Sequence, residues 1–125
     1  MLKQNFMENY KITRIYEDEN SESRFEEIEI PIVNRGQLGF LSESQKVSGI
    51  LFRKVEATYD YDFHNAPARQ YIILLDGAIE IETSLGEKRI FKAGEVLLVE
   101  DISGKGHKTR NLKDKTRSSL FVTLE

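Results

Sequence analysis

Apolar residues in this chain recur at every second position in short runs, and seldom at the spacings of three and four that an amphipathic helix requires. Ile28, Ile30 and Ile32 alternate with Glu27 and Glu29, and Pro31 removes a backbone donor, which places this run at a sheet edge. Similar runs cover residues 11–16, 47–58, 69–75, 78–83, 88–91, 96–99 and 118–124, bounded by Gly, Asn, Asp and Ser. Many short strands separated by turns predict an all-β sandwich or barrel. A chain of 125 residues encloses one core, so a single domain is expected. It divides into a polar tail over 1–10, N-terminal strands and a loop over 11–46, and a barrel core over 47–125. Within the loop, Leu38, Phe40 and Leu41 are expected to cover an open barrel end.

The dipeptide Asp76-Gly77 suits a two-residue hairpin, since both positions tolerate positive φ. That register pairs Leu75 with Ala78, Leu74 with Ile79, Ile72 with Ile81 and Gln70 with Thr83. One face then carries Gln70, Ile72, Leu74, Ile79, Ile81 and Thr83 and is assigned to the interior. The other carries Arg69, Tyr71, Ile73, Leu75, Glu80 and Glu82, with Arg69 diagonal to Glu82 as a cross-strand ion pair. Tyr71, Ile73 and Leu75 are too apolar for water, so another strand layer or a second subunit must cover them, and a homodimer is expected.

Composition removes several classes of chemistry. Without cysteine there is no disulfide, no thiolate nucleophile and no sulfur-based zinc site. A formal charge of −3 offers no general attraction to nucleic acid. The basic stretch Lys105, Lys108, Arg110, Lys113, Lys115 and Arg117 lacks interleaved aromatics and reads as a solvated loop. The acidic run from Glu17 to Glu22 reads the same way, and Ser103-Gly104-Lys105-Gly106 reads as a tight turn, since it lacks phosphate-loop spacing. No apolar run is long enough to cross a bilayer, and Met1 to Tyr10 is polar, without the features of a secretory signal. Neither a nucleic acid nor a membrane is expected as partner, and a cytoplasmic location is expected.

Two clusters carry the chemistry. His64 is followed by Ala66, Gln70 and Gly77; further on, Gly94 is followed by Gly104, His107 and Asn111. These stretches resemble the two motifs of the cupin superfamily, with both histidines of the chain on motif histidines. Ala66 stands at the position of the first motif's second histidine and Gln70 at that of its glutamate. The second motif is about two residues longer than usual, and Glu100 stands where a proline is common. Residues 64–71 and 100–107 further resemble a subgroup of small single-domain bacterial cupins. The resemblance implies a cupin-type double-stranded β-helix, or jelly-roll barrel, with a site at its mouth.

In metal-dependent cupins three histidines and one glutamate bind Fe, Mn, Ni, Zn or Cu. Here the corresponding ligands would be His64, Gln70 and His107, implying at most a weakly held divalent ion such as Zn, Fe, Mn or Ni. Asp62 shares the alternating face of His64 and is a further candidate carboxylate. Without metal, the two imidazoles can hydrogen-bond in the pocket or act as catalytic acid and base near neutral pH. Gln70, Ile72, Leu74, Ile79 and Ile81 would line the ligand pocket beside them, and an apolar wall with a few polar groups suits a small molecule. The expected function is small-molecule binding, extended either to catalysis or to a non-catalytic sensor or storage role.

Overall fold

The computed structural model describes residues 8–124; of the expected polar tail, residues 1–7 lie outside the described residues, and Tyr10 already belongs to a strand. The strands are β1 (Tyr10–Glu17), β2 (Ser23–Ile30), β3 (Val33–Asn34), β4 (Phe40–Leu41), β5 (Gly49–Val55) and β6 (Asp60–His64). They continue with β7 (Gln70–Leu74), β8 (Ala78–Thr83), β9 (Lys88–Lys92), β10 (Val96–Val99), β11 (His107–Asn111) and β12 (Arg117–Thr123). A single 3-10 turn over Gly36–Leu38 is the one helical element among the described residues. No described helix is long and apolar enough to cross a membrane.

The fold is all-β, as the alternating pattern requires. A six-stranded sheet has the order β2-β1-β10-β7-β12-β5, and a four-stranded sheet has the order β6-β11-β8-β9. All pairs are antiparallel except β1 with β10. Neither sheet closes into a barrel: β2 and β5 are the edges of the larger, β6 and β9 those of the smaller. Pro31 and the glutamates around Ile28 and Ile30 do mark an edge strand, β2.

The main core lies between the sheets. Ile15, Leu74, Leu97 and Val99 from the larger sheet meet Ile79, Ile81 and Phe91 from the smaller, all nearly removed from water. Near the β2 and β9 edges the sheets are joined: the Phe25 and Phe91 rings lie 6.0 Å apart, and Ser23 and Ser84 each donate a backbone N–H to the other's Oγ at 2.8 Å. The opposite side, between the β5 and β6 edges, is where the candidate site forms.

The expected hairpin across Asp76-Gly77 is not made. Gly77 does adopt φ +67°, but β7 already has β10 on one side and β12 on the other, so β8 has no edge of β7 to join. The chain instead crosses to the other sheet. Asp76 Oδ1 accepts the Ser118 N–H at 2.7 Å, and Gly77 O accepts the Ala93 N–H at 3.2 Å. The pairs Leu74–Ile79, Ile72–Ile81 and Gln70–Thr83 are therefore replaced by Leu74–Ser119, Ile72–Phe121 and Gln70–Thr123 in one sheet and Ile81–Thr109 in the other. Inward assignment survives, since it depends only on alternation: Gln70, Leu74, Ile79, Ile81 and Thr83 are all buried. Arg69 consequently pairs with Glu100 on the larger sheet's side and not with Glu82.

One segment read as a solvated loop is a strand: residues 107–111, inside the basic stretch, form β11. It is short and carries polar side chains, so alternation alone did not reveal it. Residues 60–64, with Asp62 and His64 on one alternating face, form β6. The run from Glu17 to Glu22 is not wholly solvated either, because Glu22 is buried under ion pairing with Lys105. Leu38, expected as cover, is 79% exposed.

On the outer face of the larger sheet, Tyr71 packs with Ile12, Leu98 and Leu124 and donates its hydroxyl to Gln45. The chain thus covers part of this face itself. Further toward β5, Leu120 stands between Ile73 and Phe52, and Val122 between Tyr71 and Ile50. Phe52 is 82% exposed.

Candidate functional site

A cavity of about 250 Å³ opens between the β5–β12 end of the larger sheet and the β6–β11 end of the smaller. Ile72, Ile79, Ile81, Val99 and Phe121 form its apolar wall, and His64, His107 and Gln70 project polar groups into it. The expected site residues are thus brought together, with one exception. Leu74 does not line the cavity, because it lies further along β7 inside the closed core with Leu97 and Phe91. A wider depression of about 750 Å³ near Tyr10, Ile32, Phe40 and Val96 contains neither histidine.

Backbone geometry sets the histidines against each other. His107 is opposite His64 in the β11–β6 ladder, with a register irregularity immediately after it. Gly106, at φ +75°, precedes His107, and a Cβ there would stand 2.3 Å from His64 O, so only glycine permits this approach. The two imidazole centroids are 4.6 Å apart, and the Tyr61 ring stacks on His64 at 3.7 Å.

Hydrogen bonds fix which ring nitrogen is free. His64 Nδ1 lies 2.8 Å from Asp62 O; a carbonyl can only accept, so Nδ1 carries the proton and Nε2 the lone pair. His107 Nδ1 donates to Asp101 Oδ2 at 2.6 Å, inside a pair buried to 6% and 0% side-chain exposure. Asp101 Oδ1 has no partner among the described residues. A carboxylate behind one imidazole nitrogen holds the ring in place and fixes its tautomer, so the bare nitrogen is the other one. Burial, with the neighbouring His107, holds the His64 pKa below 6.5, and the Asp62 carbonyl only partly offsets this.

Asp101 is itself well anchored. Its carbonyl accepts the Ala66 N–H at 3.1 Å, and Glu100 N–H donates to Ile15 O at 2.7 Å. Burial alone would raise the Glu100 pKa, but hydrogen bonds from Arg14 and Arg69 outweigh it and keep the carboxyl below its ordinary value. Gly104 and Lys105 form a turn whose groups serve the fold: Lys105 N–H donates to Ser21 O, and Gly104 O accepts from Asn65.

The donor set does not make a complete divalent-metal site. His64, Gln70 and His107 line one cavity, but no cluster of three or more His, Cys, Asp or Glu side chains exists among the described residues. Asp62 is exposed and outside the lining, because its side chain turns back to accept the Phe63 N–H. Asp101 is engaged on the Nδ1 side of His107. Two imidazoles and a neutral amide leave a divalent charge uncompensated, so these residues do not fit a tightly held resident metal.

Several site residues escaped sequence reading. Arg53, Tyr59, Tyr61 and Arg117 all line the cavity. Arg117, taken with the solvated basic stretch, is only 2% exposed, since it opens β12 on the inward face that also carries Ser119 and Phe121. Its alternation with Phe121 was the available signal. Asp101 had none beyond its place in the second motif.

No protein-family model matches this chain, and no curated protein matches it significantly. Its structure is similar to the crystal structure of protein NMB1881 from Neisseria meningitidis, with 18% sequence identity and a TM-score of 0.44. The match covers 78% of this chain and 84% of that one.

The depressed His64 pKa has a signed consequence. Folding favours the neutral ring, so His64 contributes stability above pH 6.5 that is lost as pH falls through its lowered folded value. An NMR titration of the ring protons should give a His64 midpoint below 6.5, and a midpoint at or above it would contradict the burial argument. His64→Gln should show a smaller loss of stability over the same acid range.

Proposed function

We propose that this chain is a small-molecule-binding domain of cupin-like, jelly-roll architecture, whose ligand sits between His64 and His107. The observation that carries this reading is the convergence of those two rings, 4.6 Å apart, on a mostly apolar cavity of about 250 Å³. The architecture is supported by the path of the chain: β7, β8, β10, β11 and β12 pass back and forth between two facing sheets, as jelly-roll strands do.

The chemistry proposed for the site is acid–base and independent of metal. His107 Nε2, backed by Asp101, would accept a proton from a bound molecule and return it to the product, while the neutral His64 ring, bare at Nε2, would accept a hydrogen bond from the ligand on the neighbouring side. Without turnover the same pocket serves a sensor or store. A panel of sugars, organic acids, amino acids and aromatic metabolites should contain members that raise the thermal midpoint of the parent. A ligand at a hundredfold excess over its Kd adds about 2.7 kcal/mol. His64→Ala should abolish those shifts while keeping the parent's circular dichroism. Shifts that persist in His64→Ala would place binding elsewhere, and product formation from a stabilising ligand would decide for an enzyme.

The second element of the proposal is a homodimer through the outer face of the larger sheet. Exposed Phe52 and Ile50, beside Leu120, Val122 and Ile73, form an apolar strip continuous across three strands. Sedimentation velocity should give a dimer for the parent and a folded monomer for Phe52→Lys. A monomeric parent at high concentration would contradict it.

A further inference from the structure

The arginines of this protein divide by their surroundings. Arg14, Arg24, Arg69, Arg89 and Arg110 each contact a carboxylate, and Arg35 is exposed to water. Arg53 and Arg117 have neither provision: they are partly and fully buried, and neither forms an ion pair among the described residues. Both line the cavity that holds the histidines.

The contacts they do make are incomplete for guanidinium groups. Arg117 Nε donates to Asn111 Oδ1 at 2.7 Å, which uses one of five N–H donors. Arg53 lies over the rings of Tyr59 and Phe121 at 4.9 and 4.8 Å and makes no side-chain hydrogen bond among the described residues. Burial first, and then Arg53, lowers the Arg117 pKa from its ordinary value, with Tyr59 and Asp76 offsetting part of this. Placing two like charges near each other in a partly dry cavity is unfavourable unless an anion joins them. The lining contains no Asp or Glu to serve as that anion.

We propose that the cavity takes a small monocarboxylate with an apolar body, its carboxylate gripped by Arg53 and Arg117 and its body against Ile72, Ile79 and Ile81. This deepens the pocket reading above and rests on it. A planar carboxylate matches the guanidinium fork. A phosphate would bring a third oxygen and more charge, and the lining offers neither a lysine nor a glycine turn to meet them. The volume of about 250 Å³ sets the size of the body to a few carbons. With the carboxylate fixed, the remainder of the molecule is carried toward His64 and His107.

The test uses histidine-labelled full-length protein at low ionic strength and neutral pH. The probes are straight-chain monocarboxylates from acetate to octanoate, the primary amide of each, and inorganic phosphate, with the His64 and His107 ring signals as readout. The best carboxylate should bind at least about tenfold more tightly than its amide, with affinity peaking at an intermediate chain length. Arg53→Gln should lose about tenfold in carboxylate affinity, leave amide affinity unchanged and keep the parent's thermal midpoint; Arg53→Lys should fall between. Arg53 is the position of choice because it is the less buried of the two. Acids and amides binding alike, carboxylate binding undiminished in Arg53→Gln, or phosphate binding more tightly than every carboxylate would each overturn the proposal. Amide binding at the histidines without preference for acids overturns it and leaves the pocket reading standing. Silence of both histidines toward every probe overturns it as well, and the pocket reading falls with it only if the wider panel of sugars, amino acids and aromatic metabolites also gives no thermal shift that depends on His64.

Discussion

The candidate site depends on how closely β11 approaches β6. At Gly106 the backbone comes so near His64 that a single added Cβ would meet the His64 carbonyl at 2.3 Å. Ser23 Oγ donates to Gly106 O at 2.7 Å from the other side, so the segment is held between β2 and β6. This contact turns two histidines that are far apart in sequence into neighbours across one cavity.

The second constraint is where charge is allowed to be dry. Apart from His107–Asp101, every ion pair among the described residues keeps at least one partner in contact with water, where such contacts contribute little to stability. The site departs from this pattern twice, with Asp101 buried behind His107 and Arg117 buried beside the cavity without a carboxylate. A buried carboxylate that accepts from an imidazole is tolerable because the hydrogen bond offsets its desolvation. A buried guanidinium lacking that compensation is a demand placed on whatever binds.

Much of the fold was legible because period-two alternation reports which face a residue occupies, whatever strand it pairs with. Gln70, Ile72, Ile79 and Ile81 were correctly assigned inward even though the hairpin used to derive their register does not exist. The pairing was illegible because Asp76-Gly77 has the composition of a hairpin turn, and only the occupied flanks of β7 show that it serves as a crossing between sheets. The histidines were found through motif spacing. Asp101 and the two arginines were not, since a charged residue on an inward face looks in sequence like one more member of a solvated run. Their significance comes from missing or buried partners, which only tertiary structure displays.

The convergence of His64 and His107 is tested most directly by side-chain nitrogen-15 spectra of the unliganded protein. The hydrogen bonds to Asp62 O and Asp101 Oδ2 require both imidazoles to carry their proton on Nδ1 when neutral, leaving both Nε2 atoms bare. The expected result is two Nδ1–H tautomers together with ring-to-ring proton contacts consistent with centroids 4.6 Å apart. Two Nε2–H tautomers with no contact between the rings would contradict the site as described.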